Sequence, residues 1–310
     1  MKNGKSYYFN LYSKENINIF FDEISKLNNI EKRLIRNPKK FFEEKNYDIS
    51  WINDKISTYQ YLLYINKFSS RSFNDINQYP IFPWIFRESS LGSYRNRNKI
   101  PKYRDLRYPI SMKGNTIDWE KEYKEKEDIE EFFESSKDMG IKHPSHFSSH
   151  YSTKGSLLSF FVRISPYTKE QIILKNNQFD SPNIQLNSIN EFLIMLSTNR
   201  DNRELIPEYF TTIEFYLNMN YTYFGYRLND KLLINDIVEQ EEYFKSLAQY
   251  VYYNRLILNI KLDFNKLFLL YEQELKINSW IDLIFGYRQW SEKPKKEDLN
   301  LFRKYSLINI

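Results

Sequence analysis

Apolar positions in this chain fall into helical periods that break off into apolar stretches with no period. From Ser57 to Phe68, Tyr59, Leu62, Leu63 and Asn66 recur at i, i+3, i+4 and i+7, one face of a helix. Ser57 followed three residues later by Gln60 is the capping-box signature of its start. After Phe68 the period stops. Arg71, Asn74, Asp75, Asn77 and Gln78 alternate irregularly with aromatics. Pro80 and Pro83 remove two backbone donors and push Tyr79 and Phe82 toward extended conformations. A surface loop would not carry Tyr79, Ile81, Phe82, Trp84, Ile85 and Phe86 together. The pattern predicts irregular backbone inside a core, with side-chain amides and charges pairing the peptide groups that no ladder satisfies. Trp84, between Pro83 and the Ile85–Phe86 pair, is expected to anchor that core.

The same contrast organises the rest. Residues 1–30 read as a short strand with Tyr7, Phe9 and Leu11 on one face, then an amphipathic helix from Asn16 to Lys26 through Ile17, Phe20, Phe21 and Ile24. A lone strand and helix cannot fold by themselves. Residues 31–50 read as a basic linker. Leu157 to Ile164 is apolar all round, hence a buried helix. Ser188 with Glu191 makes a second capping box before FLIML, and helical pattern dominates from Glu239 to Leu275. A last helix runs from Trp280 to Phe285, with Gly286 as its stop. The fold class expected is mainly α, a multihelical array around long ordered segments that are neither helix nor strand.

Composition changes this picture in three places. The absence of cysteine among 310 residues excludes disulfides, thiolate metal sites and cysteine catalysis. The 26 Tyr and 24 Phe accompany abundant Asn, Lys and Ile and a single alanine, Ala248, a bias we read as genome-wide enrichment in A and T; aromatic abundance is then poor evidence of stacking function. Lys2, Lys5 and Lys14 interrupt any apolar start, so no signal peptide is expected. The longest apolar runs fall short of the ~20 residues a span requires, and a soluble cytoplasmic chain, at most peripheral at endomembranes, is expected. Charge is local. Residues 118–138 hold ten acids and four bases and read as an exposed helix, whereas Arg87 to Arg107 holds seven bases and two acids.

The residues from Trp51 onward resemble the BEACH domain family, of the beige and neurobeachin type. The family's opening pattern is matched by Trp51, Ile56, Ser57, Tyr61, Leu62 and Asn66, and its G-R-S-x-N-D-x-x-Q-Y-P-V-F-P-W block by Arg71, Ser72, Asn74, Asp75, Gln78, Tyr79, Pro80, Phe82, Pro83 and Trp84. Tyr103, Arg104, Asp105, Leu106 and Pro109 follow in family order. So do His146, His150, Tyr151, Ser152 and Gly155, then Glu204, Leu205, Ile206, Pro207, Glu208 and Phe210, and finally Trp280 to Gly286 with Asp282 inside it. Ser148 and Asn177 stand where the family has glycine, and Ser69–Ser70 replaces Ala-Gly. Ile184 replaces an arginine, and NDKLLINDIVEQEEYF stands in place of the family's L-P-P-W-A segment.

The resemblance implies a BEACH domain over residues 51–305, a linker at 31–50, a tail at 306–310, and in residues 1–30 the end of a preceding pleckstrin-homology-like domain. An arm docked on the core is the other reading of residues 1–30. It implies a scaffold without catalysis or cofactor, acting in vesicle trafficking, membrane dynamics, autophagy and lysosome-related compartments. The partners implied are the preceding domain packed on the BEACH surface, a following WD-repeat propeller, and trafficking proteins.

Candidate chemistry has to be weighed against this. His143, His146 and His150 lie within eight residues, and two imidazoles at i and i+4 can share a metal. That spacing is the basis of a metal-dependent hydrolase reading. No cysteine, HExxH motif or clustered carboxylate supports it, and neutral imidazoles pairing buried backbone groups is the alternative. Glu204 and Glu208 could form an acid/base pair. Their apolar flanks and Pro207 point to structural acids paired with Arg71, Arg104 or Arg163. The basic stretch Arg87–Arg107 is a weak nucleic-acid signal, and a solvated loop or contact with anionic membrane fits it better. Candidates for structural or interaction roles are thus Arg71, Asn74, Asp75, Tyr79, Trp84, Arg104, Asp105, His146, His150, Glu204, Glu208, Trp280 and Asp282.

Overall fold

A computed structural model describes residues 9, 11–27, 35, 37–85, 104–110, 153–179, 203–226, 231, 233–237 and 277–286. In chain order the helices are α1 (Lys14–Ser25), α2 (Pro38–Lys45), α3 (Tyr47–Ile52), α4 (Thr58–Phe68), α5 (Lys154–Phe160), α6 (Tyr167–Leu174), α7 (Glu208–Thr211) and α8 (Ile277–Ile284), with one 3-10 turn at Ile213–Tyr216. Among the described residues no strand forms, only isolated bridges between Phe82 and Leu205 and between Tyr226 and Leu233. The fold is mainly α, as expected. The second capping box at Ser188, the helical pattern from Glu239 to Leu275 and the acidic stretch 118–138 lie outside the described residues.

α4 starts as its sequence demands. The Ser57 hydroxyl accepts the Gln60 N–H at 3.2 Å and the Gln60 side chain accepts the Ser57 N–H at 3.1 Å. Its buried stripe is broader than the expected one. Thr58, Tyr61, Leu62, Ile65, Asn66 and Phe68 are buried, while Tyr59 and Leu63 are half-buried. The reason is that the helix is covered on more than one side. Tyr59 packs on Phe82 of the irregular segment at 5.0 Å, and aromatics from residues 41–51 cover the opposite flank. Phe41 stacks on Phe68 at 5.8 Å, Tyr47 on Tyr64 at 4.2 Å and Trp51 on Tyr61 at 4.5 Å.

Phe41 and Tyr47 come from the stretch read as a linker, which is helical from Pro38. Asn37 accepts the Lys40 N–H, Pro38 takes the first helical position, and Asn46 in the left-handed conformation (φ 49°) turns α2 into α3. Three further boundaries differ from expectation, and one is the last helix, which spans Ile277–Ile284 where Trp280 to Phe285 is expected. The helix expected at Leu157–Ile164 begins at Lys154, because Thr153 caps the Ser156 N–H, and ends at Phe160. Burial continues through Arg163, which is why the sequence alone reads on. α1 runs over Lys14–Ser25 and buries no residue, although Phe9 packs on Phe20 at 5.5 Å. Of the strand expected before it, Phe9 and Leu11 are described and neither is in a strand.

Among the described residues the larger core cluster includes Trp84, Phe82, Phe160, Tyr209, Phe215 and Trp280, and a smaller one joins Val162, Phe224 and Ile234. α8 contributes Ile277, Trp280, Leu283 and Ile284 to it. Gly286 ends that helix where nothing larger fits: a Cβ there would sit 2.7 Å from the Cα of Asp282.

Candidate functional site

The irregular segment is the structural centre. Every residue from Tyr79 to Ile85 is buried, so its backbone groups must be paired inside the protein. The Asn66 amide takes both groups of Ile81: its Oδ1 accepts the Ile81 N–H at 2.8 Å and its Nδ2 donates to the Ile81 carbonyl at 2.9 Å. Arg71 Nη1 donates to the Tyr79 carbonyl at 2.7 Å. The Arg104 N–H donates to the Ile85 carbonyl at 2.9 Å.

Residues 203–208 supply the rest. Tyr79 faces Glu208, Phe82 faces Leu205 and Trp84 faces Arg203, so each advance on one segment is matched by an equal retreat on the other. This is the register of an antiparallel pair. Phe82 and Leu205 exchange both N–H···O bonds at 2.8 Å. In such a pair the next exchanging positions lie two residues away on each strand. On one side they are Pro80 and Pro207, neither of which has an N–H to give. On the other side the Trp84 N–H donates to Glu204 Oε2 at 3.2 Å, and the Arg203 carbonyl accepts from the Trp84 indole at 3.0 Å. Proline stops the ladder after one rung, and side chains continue the pairing in its place.

Arg104 and Glu204 lie beneath this pair with both side chains wholly buried. Two parallel bonds join them, Nη2 to Oε1 at 2.7 Å and Nη1 to Oε2 at 2.8 Å, and Nη2 also donates to the Tyr108 carbonyl at 3.1 Å. The fork matches both carboxylate oxygens, the geometry that favours arginine over lysine. Glu204 therefore has the arginine partner expected for it. Glu208 does not: its Oε1 accepts from the Tyr79 hydroxyl at 2.5 Å. Burial raises the Glu208 carboxyl above the ordinary carboxylate range, against the opposing effect of the Tyr79 bond and its own backbone N–H. Burial first, then the nearby Glu208, raises the Tyr79 phenol so that it stays a donor.

The remaining candidates are dispersed. Asn74 is exposed, and Asp75 shapes a local turn by accepting the Asn77 N–H at 2.9 Å. Asp105 is bound by the exposed Arg107. Trp280 is fully buried with its ring edge-on to Phe285, and Asp282 of the same helix lies near Tyr61. Burial, with Asp48 and Asp282 adding to it, pushes the Tyr61 phenol up to about 12. His143, His146, His150 and most of Arg87–Arg107 lie outside the described residues. Among the described residues no group of three or more His, Asp or Glu could hold a metal ion, and no helix is long and apolar enough to cross a membrane.

Two contributors were missed by sequence reasoning as site residues. Asn66 carried a signal, a polar amide on an otherwise apolar helical face. Arg203 carried none, yet its Nη1 donates to Ser159 at 2.8 Å while its carbonyl holds Trp84. Another buried cation, Arg163, donates to the Asn235 carbonyl at 2.8 Å and lies over the Phe224 ring at 5.4 Å. Burial lowers it to about 10, with Asp236 opposing. Asp236 also accepts the Asn218 N–H at 2.6 Å, so the segment that departs from the family pattern is built into the packing.

The geometry defines an α-helical fold organised around paired irregular segments with an ion pair sealed beneath them. A model of the Beige/BEACH domain matches residues 49–309. The chain belongs to the BEACH domain family. It is similar to BEACH domain-containing protein lvsD of Dictyostelium discoideum, 31% identical over 258 residues, covering 81% of this chain and 8% of that protein. It is also similar to the lysosomal-trafficking regulators of Homo sapiens and Drosophila melanogaster, each 31% identical, over 273 and 261 residues. Those matches cover 81% of this chain and 6% and 7% of the two proteins. The chain thus spans less than a tenth of the length of the curated relatives it matches.

Proposed function

We propose that the chain is a non-catalytic scaffold module of a protein acting in vesicle trafficking and membrane dynamics at lysosome-related compartments. The observation that carries this reading is the family match over 49–309 together with relatives named lysosomal-trafficking regulators. The internal use of charge supports it. Glu204, which an acid/base mechanism would need, is sealed against Arg104 and Trp84. A domain whose polar groups hold its own backbone offers partners a fixed shape.

In this reading residues 1–30 end a pleckstrin-homology-like domain that packs on the BEACH surface, and a WD-repeat propeller and trafficking proteins are further partners. That α1 buries none of its residues is in keeping with a helix whose partner lies upstream. The module works on the cytoplasmic face of endomembranes. The test supplies the complete upstream region in trans: binding at micromolar concentration and a raised melting temperature are expected. Loss of the whole protein should alter vesicles or lysosome-like compartments rather than a metabolite pool. No binding at that concentration, together with a turnover activity that survives rigorous purification, would sink the reading.

A further inference from the structure

A small closed loop precedes the irregular segment. The Ser72 N–H donates to the Gln78 carbonyl at 2.9 Å and shuts residues 72–78 at their base. Inside it, Asp75 Oδ1 accepts the Asn77 and Gln78 N–H groups. Phe73 stands 51% exposed on the loop and sets its edge against Tyr79 at 5.5 Å. Tyr79 fastens the loop twice. Its carbonyl takes Arg71 Nη1, and its hydroxyl donates to Glu208 Oε1, 129 positions along the chain.

Glu208 is the unusual member. Its Oε2 is sealed from solvent and receives no hydrogen bond. An ionised carboxylate is an acceptor at both oxygens, and burying one with half of its acceptors empty is strongly unfavourable. A protonated carboxyl needs far less. It keeps Oε1 for the Tyr79 hydroxyl and carries the proton on Oε2. Among the described residues, the titratable groups that act on Tyr79 besides Glu208 are Tyr59 on α4 and Tyr167 on α6. Arg71 is engaged at the Tyr79 carbonyl. Among the described residues the influences on the Glu208 carboxyl are its burial, the Tyr79 hydroxyl and its own backbone N–H, and none is a positive charge.

We propose that Glu208 holds a proton in the closed domain and that its ionisation releases the loop at residues 72–78, a proton-operated clasp beneath an exposed aromatic. The sealed oxygen is hydrated only when Tyr79 lifts away, and the loop base moves with Tyr79. The direction of titration agrees: the carboxyl is raised above its ordinary 4.5 in the fold. The clasp therefore contributes fully below that ordinary value and is lost as pH rises through the raised one. This inference is independent of the trafficking reading.

The test uses the full chain labelled with 13C at glutamate side-chain carboxyls, with Glu208→Gln assigning the resonance, and amide exchange across residues 72–78. The expected result is a Glu208 carboxyl that titrates above the ordinary range. Between the ordinary value and that midpoint, protection of 72–78 in the wild type should fall by up to about tenfold per pH unit relative to Glu208→Gln, as one linked proton requires, and level off above it. Tyr79→Phe removes the hydroxyl that donates to Oε1 and should move the midpoint further up, which serves if Glu208→Gln does not fold. A carboxyl titrating at or below its ordinary value would overturn the proposal. So would wild-type and Glu208→Gln protection that stay parallel from about pH 5 to 8, or a Tyr79→Phe midpoint that does not move.

Discussion

At Arg104 and Glu204 two full charges are taken out of water together, and the fork between them restores only part of what desolvation costs. The pair is justified by what else it holds. Glu204 receives the Trp84 N–H, and Arg104 reaches the Tyr108 carbonyl, so removing either residue strands backbone as well as its partner. Arg104→Met is expected to cost about 3–5 kcal/mol by leaving Glu204 charged and buried. Arg104→Met with Glu204→Leu should cost clearly less than the two single changes added together, because the isolated charge is gone and only the backbone groups remain unpaired. Urea unfolding of the four proteins measures this, and strict additivity would mean that the two charges do not act as a unit.

Elements show which physical signals are local and which are not. The capping box of α4 and the buried, unperiodic Tyr79–Ile85 segment were legible, because capping and apolar content are written in adjacent residues. That Glu204 would need an arginine was legible too, since burial alone dictates it. The tyrosine partner of Glu208 and the pairing of 79–84 with 203–208 were not, because register between distant segments leaves no periodic trace. The helices in the expected linker were hidden by basic composition, although Phe41 and Phe42 are what hold them against α4.

Departures from the family's glycines become intelligible at helix ends. Ser70 follows the α4 C-cap at φ 62°, and the Arg71 N–H returns to the Asn66 carbonyl, a Schellman ending with serine at the position glycine favours. At the end of α6 the position equivalent to Ser70 is Asn176 at φ 56°, and Asn177, also left-handed at φ 63°, sends its N–H back to the Ile172 carbonyl as Arg71 does to Asn66. The backbone is kept and strain is accepted. Ser70→Gly should therefore stabilise the protein by ~1 kcal/mol, read as a higher urea midpoint at unchanged slope. A lower midpoint would mean that the left-handed conformation at Ser70 carries no strain.

Across the whole molecule, the account makes one unusual demand. Irregular backbone is ordinarily the first part of a protein to open, with helices protecting their amides longest. Here the segments at 79–85 and 203–208 lie at the centre of the core, crossing from α4 to α7, and Asn66, Arg71 and Glu204 replace the ladder that proline denies them. Releasing them should require dismantling the fold. Native-state hydrogen exchange across a denaturant series tests this directly. The amides of Ile81, Phe82, Trp84 and Leu205 should exchange only through global unfolding, with the full denaturant dependence of the slowest α4 amides. Exchange of those four amides at loop-like rates, while α4 stays protected, would contradict the claim that side-chain pairing of irregular backbone holds this domain together.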